Sequence, residues 1–308
     1  AVHLLNDAAF LFHDLSAHPV ACHLEVTPET CSTAYANGLV EREYWIDFSA
    51  ARRTYSPHLT EQENAALFGM ASSPLGHGHN YRLRATLSDT FDPENGQITP
   101  HDQTHDSMER LRLMLDHKNL NDEVPLLSTS PMTTECLARF TWRQLSTTLP
   151  VSRVKVFELP NFFAEFDSAG RSSLGYELSF HAAHRLHSAD LSESENQAVY
   201  GKCHNPAGHG HRYRVEATVS GALDERTGTL CDLRLLHSGL AAAIEPWQYR
   251  HLDNEIADFA DTPSTGENIS HALWPRLNRA YPESLTRLRI WETPNNRFTL
   301  RKEFREET

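Results

Sequence analysis

Apolar and polar residues alternate with period two in YRLRATLS (81–88), and the same alternation returns in YRVEATVS (213–220). Strict alternation predicts a half-buried strand in each place. Each strand follows an apolar segment that ends in Ala-Ala and a basic pair, AARR at 50–53 and AAHR at 182–185. The first strand of each set is expected to end there, with a long polar loop after it. Helical patterns cover about 104–115 and 133–146 in the first half. The second of these opens on Thr-Thr-Glu and its counterpart on Ser-Thr-Gly-Glu-Asn, both of which read as N-caps. Two strands close each set, RVKVFE with NFFAEF and RLRIWE with RFTLRK. The order β-β-α-α-β-β predicts an α+β fold: an antiparallel four-stranded sheet with two helices on one face. Such a sheet has open edges, and edge pairing between domains would close it into a barrel. A homo-oligomeric ring is therefore expected.

The two sets are copies of each other. GHGHNY begins at Gly76 and GHGHRY at Gly208, a shift of 208 − 76 = 132. Without a gap, residues 47–88 lie over 179–220, with 21 of 42 positions identical. A two-residue insertion moves the offset to 134 near the end, so that Phe157-Glu158 falls over Trp291-Glu292. This gives one domain at 45–168, a linker-like DSAGRSS (167–173), and a second domain at 172–308. Residues 1–44 have no counterpart and form an N-terminal extension of unassigned role, expected as an extra element packed on the first domain.

Composition narrows the function classes. The formal net charge of −13 speaks against a nucleic-acid partner, because phosphate backbones need concentrated Lys and Arg. No apolar stretch approaches a membrane span, and the N-terminus shows no secretion signal. The five cysteines are odd in number and form no CxxC pair, so a disulfide framework is not expected and a cytoplasmic setting is. The 19 histidines cluster. His209 and His211 stand one residue apart at a strand start, so both rings share a face. His184 ends the strand expected beside them, and Gly208 and Gly210 leave room for an ion. Three imidazoles with one open position make a catalytic Zn2+ pattern, and no fourth ligand is evident. The first copy keeps His77 and His79 but has Arg52 in place of His184. A permanent cation there opposes a dication, so no zinc is expected in the first copy.

The run GKCHNPAGHGH (201–211), with FHAAHRL before it and WETPNN (291–296) near the end, resembles the signature of the 6-pyruvoyltetrahydropterin synthase family. The resemblance covers nearly all of 176–303 and, more weakly, 45–165. It implies the tunnelling fold, whose sheets join into barrels. It further implies zinc on His184, His209 and His211, a cysteine base at Cys203, a pterin-anchoring carboxylate at Glu292 and a pterin contact at Thr265. The implied substrate is 7,8-dihydroneopterin triphosphate, from which triphosphate is eliminated. Lys202, Arg185 and Arg212 lie where they could meet the triphosphate, although Arg212 replaces the family's usual Asn.

The family's Asp-His pair, in the phrase LDHKNL, falls on Asp116 and His117 of the first copy, whereas the second has Gln248-Tyr249. The first copy in turn has Ala71 where the second has Cys203. These losses are complementary. In this family the site lies between neighbouring subunits, so one composite site is expected, with zinc and Cys203 from the second domain and Asp116-His117 from the first. The product is either 6-pyruvoyl- or 6-carboxytetrahydropterin, the latter belonging to queuosine biosynthesis. The spacing from Cys203 to His209 resembles the pyruvoyl branch. Glu158 holds the place of Glu292 in the first copy and could anchor a ligand at the second interface. The alternative is a non-catalytic pterin- or purine-binding protein or regulatory paralogue.

Overall fold

The computed structural model describes residues 1–12, 18–92, 94, 96 and 98–302; the last six positions of the expected second domain lie outside this range. The chain divides into two compact units, 1–173 with 222–230, and 174–221 with 231–308.

Unit 1 contains α1 (Val2–Leu11), β1 (Ala21–Thr27), β2 (Thr30–Tyr35), β3 (Leu39–Arg52), α2 (Glu61–Phe68), β4 (His77–Thr90), α3 (His101–Leu115), β5 (Lys118–Asn119), α4 (Thr134–Ser146), β6 (Val151–Leu159) and β7 (Phe162–Asp167). Its strand order is β1-β2-β3-β4-β6-β7, and β5 adds two parallel residues to β3. The four strands β3, β4, β6 and β7 are antiparallel neighbours. One face of this sheet, carrying Leu83, Ala85, Leu87, Val154, Val156 and Ala164, is fully buried, with α3 packed on β3 and α4 on β6 and β7. Residues before the repeat extend the sheet. The β1–β2 hairpin pairs with β3, and Leu5 of α1 joins Ala34 and Val40 in a small cluster that also holds Phe91 and Ile98.

Unit 2 contains β8 (Ser172–His184), α5 (Glu193–Tyr200), β9 (His209–Gly221), α6 (Leu233–Ile244), β10 (Arg250–His251), α7 (Leu252–Glu255), α8 (Gly266–Ala280), β11 (Leu285–Thr293) and β12 (Asn296–Arg301). Its order is β8-β9-β11-β12, with β10 parallel to β8. Tyr213, Val215, Ala217, Leu288 and Ile290 bury the face that meets the helices, and α8 packs on β11 and β12.

The α+β reading and the antiparallel sheets hold, but neither unit closes its own sheet into a barrel, and each adds a short parallel strand to the expected four. The polar segments LTEQEN and LSESEN, expected as loop, are helices instead. Thr60 with Glu63 and Ser192 with Glu195 form complete capping boxes, which satisfy the first N–H groups of α2 and α5.

Candidate metal centre

The histidines of unit 2 converge. β8 ends at His184 and β9 begins at His209, so strand pairing brings the rings together. His184 is fully buried. Its Nδ1 lies 3.2 Å from the Ser264 carbonyl, and its Nε2 lies 3.0 Å from Nε2 of His209. Donation to the carbonyl places the proton on Nδ1 and leaves Nε2 as a lone pair. Two ring nitrogens at that separation need a proton or a cation between them. Nε2 of His211 and Nδ1 of His209 are buried without a hydrogen-bond partner. One donor atom from each of the three rings lies within 4.8 Å of the others. Burial lowers the pKa values of His184 and His211, with His209 adding repulsion and Glu292 opposing it, so the neutral, ligating form is favoured. This donor set fits a divalent cation.

Glu292 approaches the same point. Its Oε1 is 3.5 Å from Nε2 of His184 and 3.7 Å from Nε2 of His211, while Oε2 accepts from Asn296. A carboxylate therefore stands beside the three rings, where the sequence showed no fourth donor. The glycines also differ from expectation. Gly208 has φ +71°, and a Cβ there would lie 2.8 Å from His251 Nε2 and 3.0 Å from the His184 carbonyl. Its space is taken by the neighbouring chain and leaves no room for an ion. Beside His211 opens a cleft of about 550 Å3 that also touches His181, Arg212 and Tyr249.

A supporting layer escaped sequence reasoning. Asp253 accepts from the backbone N–H of Arg185 and from both the N–H and hydroxyl of Ser264, and so fixes the carbonyl that orients His184. Tyr213 is buried under the rings, its phenol pKa raised by burial and by Glu292 and Asp253. In unit 1 the counterparts of Asp253 and Ser264 are Asn121 and Met132. The exchange of LNDE (120–123) for LDNE (252–255) was the available signal.

The remaining expected residues are placed as follows. Cys203 is half-buried in a 3-10 turn, Gly201–His204, where its carbonyl accepts from Leu186. Thr265 is the N-cap of α8 and accepts from Asn268. Arg185 turns to His204 and Glu193, and Arg212 to Ser179. In the His187–Glu193–His204 cluster, Nε2 of His204 lies 2.8 Å from Glu193 Oε1, and the Arg185 guanidinium approaches both residues.

Unit 1 shows the same scaffold with the opposite charge at its centre. Arg52, 3% exposed, bonds Glu158 at 2.5 Å and also reaches Thr134 at 3.1 Å. Thr134 donates to the same Glu158 oxygen, and His79 meets the other at 3.0 Å. Burial alone would raise the Glu158 pKa, but Arg52, His79 and Thr134 bring it down to about 2. His77, His79 and Glu158 converge, yet the guanidinium already supplies the cation, so these residues do not fit a metal. The Glu158 carboxylate is thus engaged within the protein by Arg52 and Thr134, with His79 beside its other oxygen.

Asp116 and His117 are in contact with each other in unit 1, with His117 Nδ1 3.1 Å from Asp116 Oδ1. Asp116 is held by the Ser49 N–H and by Arg112, and these bonds, together with His117, lower its pKa although burial opposes. His117 has φ 57° and a side chain 83% exposed, with its N–H bound to the Ser49 carbonyl at 2.6 Å. Unit 2 repeats the backbone: Tyr249 also has φ 57°, its N–H meets the His181 carbonyl, and Gln248 replaces Asp116 as acceptor of the His181 N–H. The strained turn is thus kept in both copies, and only the first carries an Asp-His pair on it.

The family model for 6-pyruvoyl tetrahydropterin synthase matches residues 41–169 and again 174–303. The chain belongs to that family, as a tandem duplication. The 6-pyruvoyl tetrahydrobiopterin synthase of Poecilia reticulata is 46% identical over 120 residues, covering 38% of this chain and 82% of the relative. That of Homo sapiens is 39% identical over 128 residues, covering 41% and 88%. A solved structure of the Caenorhabditis elegans 6-pyruvoyl tetrahydropterin synthase is 35% identical with a TM-score of 0.42, covering 43% of this chain and 96% of that one. These curated relatives are enzymes of the lyase class. Among the described residues, no helix is long and apolar enough to cross a membrane.

Proposed function

We propose that the chain is a zinc-dependent lyase acting on 7,8-dihydroneopterin triphosphate, eliminating triphosphate to give 6-pyruvoyl- or 6-carboxytetrahydropterin. The observation that carries this reading is the convergence of His184, His209 and His211 on one point in a member of this family, with buried ring nitrogens that lack protein partners. His184, His209 and His211 would hold Zn2+, which when bound acts as a Lewis acid on substrate oxygen.

The chain's own residues do the rest. The Cys203 thiolate takes a carbon-bound proton of the substrate side chain. Asp116 holds His117 in one tautomer so that its outer nitrogen can pass a proton. Glu292 accepts from the amino group and ring N–H of the pterin, and Thr265 at the start of α8 adds a contact. His117 presents its ring to solvent, as a group offered to a second copy must. The working centre therefore draws Asp116 and His117 from one copy and the histidines and Cys203 from another, within a ring of tandem chains whose sheets pair edge to edge.

The test is turnover of the triphosphate with product identified by mass spectrometry. His117→Ala and Cys203→Ala are each expected to abolish turnover with metal content unchanged. Mixing the two variants should restore part of the activity, because some assemblies then pair an intact relay with an intact thiol. Full activity in His117→Ala would refute the composite centre. Glu292→Gln separates two roles: an anchor raises KM and keeps the metal, whereas a ligand loses it.

A further inference from the structure

The sheet face of unit 2 that points away from the helices carries nine side chains in three paired rows. They are Arg214, Trp291 and Arg297; then Glu216, Arg289 and Thr299; then Thr218, Arg287 and Arg301. Five are arginines and one is a carboxylate. Arg214 is engaged by Glu177 through two bonds of 2.8 and 2.6 Å. Arg287 and Arg289 share Glu216, at 3.3 and 3.5 Å. Their side chains are only 13% and 18% exposed, yet both Nε atoms and one terminal nitrogen of Arg287 are buried without a hydrogen-bond partner. Burial, then the charge of Arg287, and further those of Arg297 and Arg301 push the pKa of Arg289 down to about 10, with Glu216 opposing.

The first copy shows that the scaffold does not require this imbalance. Its equivalent rows are Arg82, Phe157 and Phe163; Arg84, Lys155 and Glu165; Thr86, Arg153 and Asp167. There each cation meets a carboxylate: Arg82 with Asp47, Arg84 with Glu43, Arg153 with Glu41 and Lys155 with Glu165. At the positions of Glu41, Glu43, Asp47 and Glu165 the second copy has Ser173, Gly175, Ser179 and Thr299, and Arg301 replaces Asp167. Buried guanidinium N–H groups left without a hydrogen bond are costly, and those of Arg287 and Arg289, two arginines sharing one carboxylate, call for a further acceptor such as an anion.

We propose that this face of unit 2 binds an oligophosphate, gripped by Arg287, Arg289 and Arg297. Guanidinium forks match phosphate oxygens, and a linear chain of phosphates supplies several charges across the rows, whereas a monovalent anion neutralises a single arginine. The inference does not depend on the lyase reading, since it concerns the opposite sheet face from the histidines.

Calorimetric titration of the full-length chain with inorganic triphosphate tests it. Binding is expected, with orthophosphate weaker by at least about tenfold, and weakening as salt rises. Arg287→Gln with Arg289→Gln should reduce triphosphate affinity by about tenfold or more. The exposed Arg297→Gln, which puts no packing at risk, should reduce it severalfold. The double Lys variant should retain more of it than the double Gln variant. Unchanged affinity in the double Gln variant overturns the proposal, as does equal affinity for orthophosphate. So does a double Gln variant that changes oligomeric mass but not affinity, because acidic groups of a second copy would then be the occupant.

Discussion

The two copies place different residues at the same buried position, Arg52 in unit 1 and His184 in unit 2. In unit 1 the guanidinium of Arg52 sits on Glu158, whose carboxylate is also met by Thr134 and His79. In unit 2 an imidazole stands at that position, and three rings face one another, with Nε2 of His211 and Nδ1 of His209 lacking a hydrogen-bond partner. One residue thus separates a carboxylate with a built-in cation from one that faces three imidazoles able to hold a cation. A covalent cation makes the centre part of the core, whereas a borrowed one leaves a coordination position for chemistry.

Removing the built-in cation should have the largest effect on stability. Arg52→Ala strands Glu158 as a buried carboxylate and is expected to cost ~3–5 kcal/mol, read as denaturant midpoint. Arg52→His should instead create a second three-imidazole set, detected as a second equivalent of bound metal per chain by elemental analysis. If it gains none, the two centres differ by more than this residue.

Glu135, at the start of α4 in unit 1, sharpens the contrast through pH. Burial raises its pKa from 4.5 to about 7, against hydrogen bonds from its own N–H and that of Leu230. Because the folded pKa is the higher one, its contribution is fully present below about pH 4.5 and is lost as pH rises towards 7. Glu135→Gln should therefore stabilise the protein at pH 8 by up to ~3 kcal/mol and flatten that slope in thermal melts.

Asp253→Asn should weaken metal affinity by about 10–100-fold through the loosened Ser264 carbonyl. The mirror change Asn121→Asp in unit 1 should leave metal content untouched. Competition with a chromophoric chelator reads both. Smallest and equal in the two copies should be loss of the caps: Thr60→Ala and Ser192→Ala are each expected to cost ~1 kcal/mol.

Much of this was legible along the chain. The alternation at 81–88 and 213–220 located the central strands, and the exact spacing of GHGH fixed the duplication. The helices that begin within LTEQEN and LSESEN were missed because their interiors lack an apolar stripe, although the Ser/Thr-x-x-Glu boxes announce them. Residues 1–44 carried no signal from the repeat, and their hairpin is defined only by pairing with β3. Asp253 was invisible as well, since its role is to hold a carbonyl 11 positions away.

The sequence by itself determined the two copies, the strands, and the residue types available at each centre, because local periodicity and identity at a fixed offset need no third dimension. The tertiary structure alone decided which of those residues meet. Strand pairing brings His184 to His209 over a separation of 25 residues and Arg52 to Glu158 over 106. Burial at those crossings then sets which groups carry charge, since the cost of an ion depends on what surrounds it and not on its neighbours in the chain.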